Sequence, residues 1–262
     1  MLQRLFMQSP THIGAIIGAL SAAALFTVHQ FPSLAVFFPV MVSWLVLLIL
    51  AYWYIDIRFG WKYPLLAYIL VTVFSLFSLL SVVERAQIRF VLIVVIAAIV
   101  GALYGWGIVR IDAGWKSEKP FRRFASMVLA FDAYALITFF FALSSFTSSP
   151  RLPLLFTVLG GLWFAVLSLF MWRLYFRVQV KAFLFWMLIM GVVTMELIWV
   201  VHLLPFGYPI LGFFVTWVWY VFQLLARFHF TSRGVLWEKQ KAFLIANVVL
   251  FVLLLWLFVR WV

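Results

Sequence analysis

The chain has 262 residues, 68% of them hydrophobic and 10% charged, with a net charge of +12, a mean hydropathy of +1.19 and no cysteine. So little polar surface excludes a water-exposed globule and leaves the bilayer as the solvent. The lack of thiols excludes disulfides, iron–sulfur clusters and thiol catalysis, and apolar runs far longer than the ~9–11 residues of a barrel strand exclude a β-barrel, because only helices then satisfy the backbone inside lipid.

At about 20 apolar residues per crossing, the runs predict nine spans, over residues 11–29, 33–54, 64–83, 88–109, 124–146, 153–174, 182–204, 209–226 and 242–259. The expected fold is an all-α polytopic transmembrane bundle, with residues 1–262 forming a single integral membrane domain. Pro32, Pro64, Pro153 and Pro209 each stand where a helix starts and a missing N–H costs nothing.

In the first span, Gly14 and Gly18 are spaced to let another helix approach closely. Its Arg4 and the run Ser21-Ala22-Ala23-Ala24 also fit a cleavable signal peptide. We read the span as retained; cleavage would leave eight. Along the third span Thr72, Ser75, Ser78 and Ser81 recur every third residue, a polar stripe suited to hydrogen bonding between helices or to lining a pathway. Gly101 and Gly105 repeat the small-residue spacing in the fourth span. The connection 114–124 interleaves Trp115, Phe121 and Phe124 with Lys116, Lys119, Arg122 and Arg123, a composition that settles on anionic lipid headgroups.

Chemistry has to be sought among ionisable groups at membrane depth, where a carboxylate costs up to about 3 kcal/mol and needs a partner. Asp132 in the fifth span and Glu196 in the seventh qualify. Asn247 lies at the depth of Asp132 and is its expected partner, either as a tether that fixes helix register or as part of a proton or substrate site. Ser78 and Thr216 lie near the depth of Glu196 and are its expected donors. The two acids stand on the order of 9 Å apart along the normal, too far for a catalytic pair. Beyond Glu196, the same helix continues to His202 and the turn Pro205-Phe206-Gly207-Tyr208-Pro209, which makes Glu196 with His202 the preferred candidate site. Six residues of helix separate the two, however, and put them on different faces.

Lys and Arg orient the bundle: fifteen fall in the N-terminal segment and alternate connections, and only Arg85, Arg89, Arg151 and Arg260 on the opposite side. The N-terminus is therefore expected inside and the C-terminus outside. Cations scattered through short loops do not form the continuous stripe that nucleic acid requires, so the bilayer is the expected partner, with another membrane protein as a second. His12, His29, His202 and His229 lack the paired spacing of a zinc site. No aspartate-rich diphosphate motif, phosphate-cradling Gly loop or Gly-x-Ser-x-Gly elbow occurs either, so neither metal nor cofactor is expected.

In the C-terminal third, about residues 190–262, Glu196, Trp199, Leu204-Pro205-Phe206-Gly207, Gly212, Tyr220 and Arg260-Trp261 resemble an uncharacterised family of multi-pass proteins from candidate-phylum bacteria. The resemblance implies a bacterial plasma-membrane protein and no reaction. The leading expectation is a non-catalytic scaffold or accessory subunit. A permease using Asp132 or Glu196 would need a water-accessible cavity reaching one of them. A lipid-active enzyme using Glu196 and His202 would need a groove beside residues 205–209.

Overall fold

A computed structural model describes residues 10–31, 34–59, 65–113, 118–146, 151–176, 180–230 and 237–258. Among them the chain forms nine α-helices and no strand: α1 (Pro10–Gln30), α2 (Leu34–Phe59), α3 (Leu65–Val82), α4 (Ala86–Ala113), α5 (Glu118–Phe146), α6 (Leu152–Tyr175), α7 (Val180–His202), α8 (Tyr208–His229) and α9 (Trp237–Phe258). Six of these, α1 and α4 to α8, are long and apolar enough to cross a membrane, and shorter apolar stretches lie at Phe38–Tyr54, Leu66–Val82 and Leu244–Leu253. The protein is a multi-pass helical membrane protein.

Local chemistry sets the helix ends. Pro153 and Pro209 are the second residues of α6 and α8, where no intrahelical N–H bond is lost; Pro32 and Pro64 lie outside the described residues. The end of α6 comes where Phe176 turns extended, its N–H closing on the Trp172 carbonyl at 2.8 Å. Between α3 and α4 the Arg89 guanidinium caps the turn by donating to the Val83 carbonyl at 2.7 and 3.0 Å.

Several boundaries differ from expectation: α2 runs to Phe59 and α4 to Ala113, past the expected 54 and 109, α9 starts at Trp237 rather than 242, and the largest difference is at the start of α5. The segment 114–124 is not all connection, because α5 begins at Glu118. Phe121 is buried and continues, at helical spacing, the apolar face of Ala125, Val128 and Leu129. Pro120 is tolerated because it falls in the first turn, whose N–H groups have no helical acceptor. Lys119 and Arg123 are thus exposed on a helix and Arg122 is half-buried there, while Lys116 lies outside the described residues.

The packing divides into two compact units, Met1–Phe139 and Phe140–Val262, with the division inside α5. In the first unit, α1 and α4 meet backbone to backbone. A Cβ built on Gly14 would stand 2.5 Å from the Gly101 carbonyl oxygen and 3.0 Å from the Gly105 Cα, and one on Gly101 would stand 2.7 Å from the Gly14 oxygen. Gly18 sits over the Ala97 carbonyl in the same seam. Polar tethers hold the neighbouring helices: Trp44 Nε1 of α2 donates to Ser21 Oγ of α1 at 2.9 Å, and the Tyr104 hydroxyl of α4 donates to the Leu48 carbonyl of α2.

The second unit uses the same two devices. A Cβ on Gly161 of α6 would stand 2.8 Å from the Gly191 oxygen of α7, so these helices also touch through glycine. At one end, the rings of Trp172, Phe183 and Trp186 gather around Phe230, with centroids 4.6 to 5.6 Å from it.

Gly14→Leu, which forces a side chain into the α1–α4 seam, should cost about 1–3 kcal/mol and lower the thermal midpoint in detergent, at about 2–4 °C per kcal/mol. Ala15→Leu, on the exposed side of the same turn, should leave it unchanged. Equal midpoints for the two variants would remove the seam as a source of stability.

Candidate functional site

Asp132 lies on the face of α5 that also carries Leu129, Ala133 and Leu136, and all four are buried. Thr72 of α3, also buried, donates to Asp132 Oδ2 at 2.8 Å. Oδ1 is buried and has no hydrogen-bond partner among the described residues, and neither has Thr138 Oγ1 farther along α5. Of the polar stripe on α3, Thr72 alone reaches another helix among the described residues. Ser75 and Ser78 donate to their own Val71 and Phe74 carbonyls at 2.8 Å, and Ser81 to Ser78 at 2.7 Å, which satisfies them within the turn.

The partner expected for Asp132 was Asn247; its hydrogen bond comes from Thr72, and Asn247 Oδ1 accepts from Trp217 Nε1 of α8 at 3.1 Å. Depth along the helix axis gave the expected pair, but the direction in which α5 turns Asp132 decides the partner. Among the described residues the arrangement is a carboxyl held by one hydroxyl, with one oxygen bare and no charged partner.

Glu196 lies on the opposite kind of surface. On α7 the residues Met190, Thr194, Ile198 and Val201 are buried, whereas Glu196 is exposed and has no partner among the described residues. Of its expected donors, Ser78 closes on its own helix, and Thr216 Oγ1 is buried without a partner among the described residues. His202, half-buried, stacks parallel on Phe141 with ring centroids 6.1 Å apart. At about 100° per residue, six residues turn the imidazole roughly 240° from the carboxylate, so the acid, the imidazole and the turn do not converge. That turn is fixed by its own bonds, Phe206 N–H to Leu204 at 2.8 Å and Ile210 N–H to Gly207 at 2.9 Å.

A third polar group was not anticipated from the sequence. Ser168 in the middle of α6 donates to its own Phe164 carbonyl at 2.6 Å and accepts from Trp219 Nε1 at 3.0 Å and from Gln223 Nε2, both on α8. All three are buried, as are Gln223 Oε1 and Trp172 Nε1, which have no partner among the described residues. The signal was present as Trp219 and Gln223 one turn apart, so that both face one neighbour. The trio contains no titratable group and acts as a tether.

No three His, Cys, Asp or Glu residues converge among the described residues. The first unit carries two apolar grooves, about 720 Å³ between α1 and α2 and about 740 Å³ beside the α1–α4 seam, lined by side chains such as Leu20, Val46, Ala98 and Ala102. They are sized and lined for acyl chains rather than for a polar substrate.

Thr72→Val should destabilise the bundle by about 1–3 kcal/mol, because it leaves both Asp132 oxygens buried and unpaired. In an Asp132→Leu background the same change should cost little, and a double-mutant cycle on unfolding in mixed detergent measures the difference. Additive effects would show that the bond carries no stability. No family model, curated protein or solved structure matches this chain.

Proposed function

We propose that the protein is a non-catalytic scaffold or accessory subunit of a bacterial plasma membrane, crossing it nine times with its N-terminus inside and its C-terminus outside. What supports the scaffold reading is the use made of buried and half-buried polar side chains. Trp44 with Ser21, Tyr104 with Leu48, Thr72 with Asp132, Trp217 with Asn247, and Trp219 and Gln223 with Ser168 each join one helix to another. Polar groups so engaged hold a bundle together and leave little to line a wet pathway. The location rests on the resemblance of the C-terminal third.

The nine crossings rest on α2, α3 and α9 as well as the six longer apolar helices. The 18 residues of α3 rise about 27 Å, close to a hydrocarbon core of about 30 Å. The direction rests on the fifteen of nineteen Lys and Arg in alternate connections. Alkaline phosphatase fused after residue 262 should be active and a fluorescent protein there dark; fusions at residue 116 should give the reverse. The opposite pattern at either position would invert or break the topology.

A permease working through Asp132 is the second reading, favoured by the bare Oδ1 oxygen. The cysteine-free chain separates the two. Under the scaffold reading, Asp132→Cys and the buried Ala135→Cys resist a membrane-impermeant thiol reagent from both sides. Labelling of either from water would mean a wet cavity and favour the permease.

A further inference from the structure

The exposed residues of α7 are ordered. Phe185, Leu188, Val192, Glu196 and Trp199 follow one another at spacings of three and four and are all exposed, with the carboxylate inside an otherwise apolar stripe that the exposed Leu203 continues in the turn just past the helix. Spacing of this kind keeps one face along a helix, here for about 21 Å, and is the pattern that packs against one other helix at a shallow angle. Glu196 stands six residues from the last residue of α7, about 9 Å below the helix end. At that depth a carboxylate in lipid costs up to about 3 kcal/mol unless a donor reaches it.

Charge narrows the choice of occupant. Among the described residues, Lys and Arg lie in connections or near helix ends, and none is at the middle of a helix. A second copy inserted in the same direction and docked through this face would bring its own Glu196 to the same depth, carboxylate against carboxylate. A different helix carrying a cation would instead supply a charge-assisted hydrogen bond.

We propose that the outward face of α7 receives one transmembrane helix of a different membrane protein, which presents a Lys, Arg or His side chain to Glu196 about two turns below its end. The proposal rests on the scaffold reading and gives it a docking face and a partner chemistry. The partner helix crosses along the apolar stripe, and its cation fixes register along the normal.

The test uses the full chain carrying Val192→Cys, reconstituted in phosphatidylethanolamine–phosphatidylglycerol vesicles. The probe is a synthetic Leu/Ala helix of about 22 residues, bearing one cysteine and one Lys at the depth of Glu196. Disulfide yield should exceed that of the all-apolar peptide, and that of a peptide with Lys moved one turn deeper, by about threefold or more. Glu196→Gln, an exposed and conservative change, should reduce this preference to none, and Glu196→Lys should transfer it to a peptide with Glu in place of Lys. Equal yields from all peptides would overturn the docking face. So would a Val192→Cys disulfide between two copies, or a crosslink from that cysteine to the first unit of its own chain. If the peptides fail while Ala135→Cys stays protected from water, the docking face falls and the scaffold reading stands. If Ala135→Cys is labelled from water, the scaffold reading itself fails.

Discussion

Water is absent from the hydrocarbon core, so each polar atom placed there needs a partner within the protein. Six hydroxyls among the described residues meet that condition on their own helices: Ser21, Ser75, Ser78, Thr157, Ser168 and Thr194 all donate one turn back, to Ile17, Val71, Phe74, Pro153, Phe164 and Met190. A serine bonded in this way keeps its lone pairs and becomes an acceptor for the next helix. Trp44 uses Ser21 in this manner in the first unit, and Trp219 uses Ser168 in the second. The indole N–H, a donor with no acceptor capacity, suits the role because it leaves nothing further to satisfy. The same requirement explains why the polar stripe on α3 yields one observed interhelical bond, through Thr72: its serines are satisfied locally.

Hydrogen bonds of this sort need helices held close, and in lipid the hydrophobic effect does not press helices together. Close van der Waals contact has to do so instead. In the first unit Gly14 and Gly101 bring two backbones to a distance that a single added Cβ would violate, and in the second Gly161 and Gly191 do the same. The bulky surfaces elsewhere on these helices face outward: Ile16 and Leu20 on α1, Leu162 and Val166 on α6 are all exposed. Leu and Val are as well solvated by acyl chains as by protein, so leaving them outside costs nothing.

Hydropathy was enough to read the helices, because an apolar run long enough to span lipid admits one backbone conformation, and each expected span coincides with a helix to within a few residues at most ends. The early start of α5 was hidden because Glu118, Lys119 and Pro120 look like loop in composition, while the burial of Phe121 that justifies the extra turns is a tertiary fact. Glycine spacing in α1 and α4 was legible as a pair of motifs, whereas Gly191 stands alone in its helix and gives no such pattern until α6 is seen against it. Partners of polar groups were legible only in depth. Rotation about the helix axis assigns Asp132 to Thr72 and turns Glu196 outward, and a difference of one or two residues in sequence moves a side chain by 100° or 200°, at about 100° per residue.

The two intramembrane carboxyls are therefore opposite solutions to one energetic problem. Asp132 is enclosed by its own chain, with Thr72 as donor, and its bond links α3 to α5 inside one folded unit. Glu196 has no such enclosure among the described residues. An interhelical hydrogen bond in a membrane averages only about 0.6 kcal/mol, while an unpaired carboxylate in lipid costs up to about 3 kcal/mol. For Glu196 the larger of these quantities is the cost of remaining unpaired, so relief of that cost would dominate docking and the new bond would add less. Such a contact is selective by depth: a donor displaced by one turn, about 5.4 Å, leaves the carboxylate nearly as costly as before. The flanking Val192 and Trp199 would then contribute contact area to any helix that docks there, and the charge would decide which helix that is.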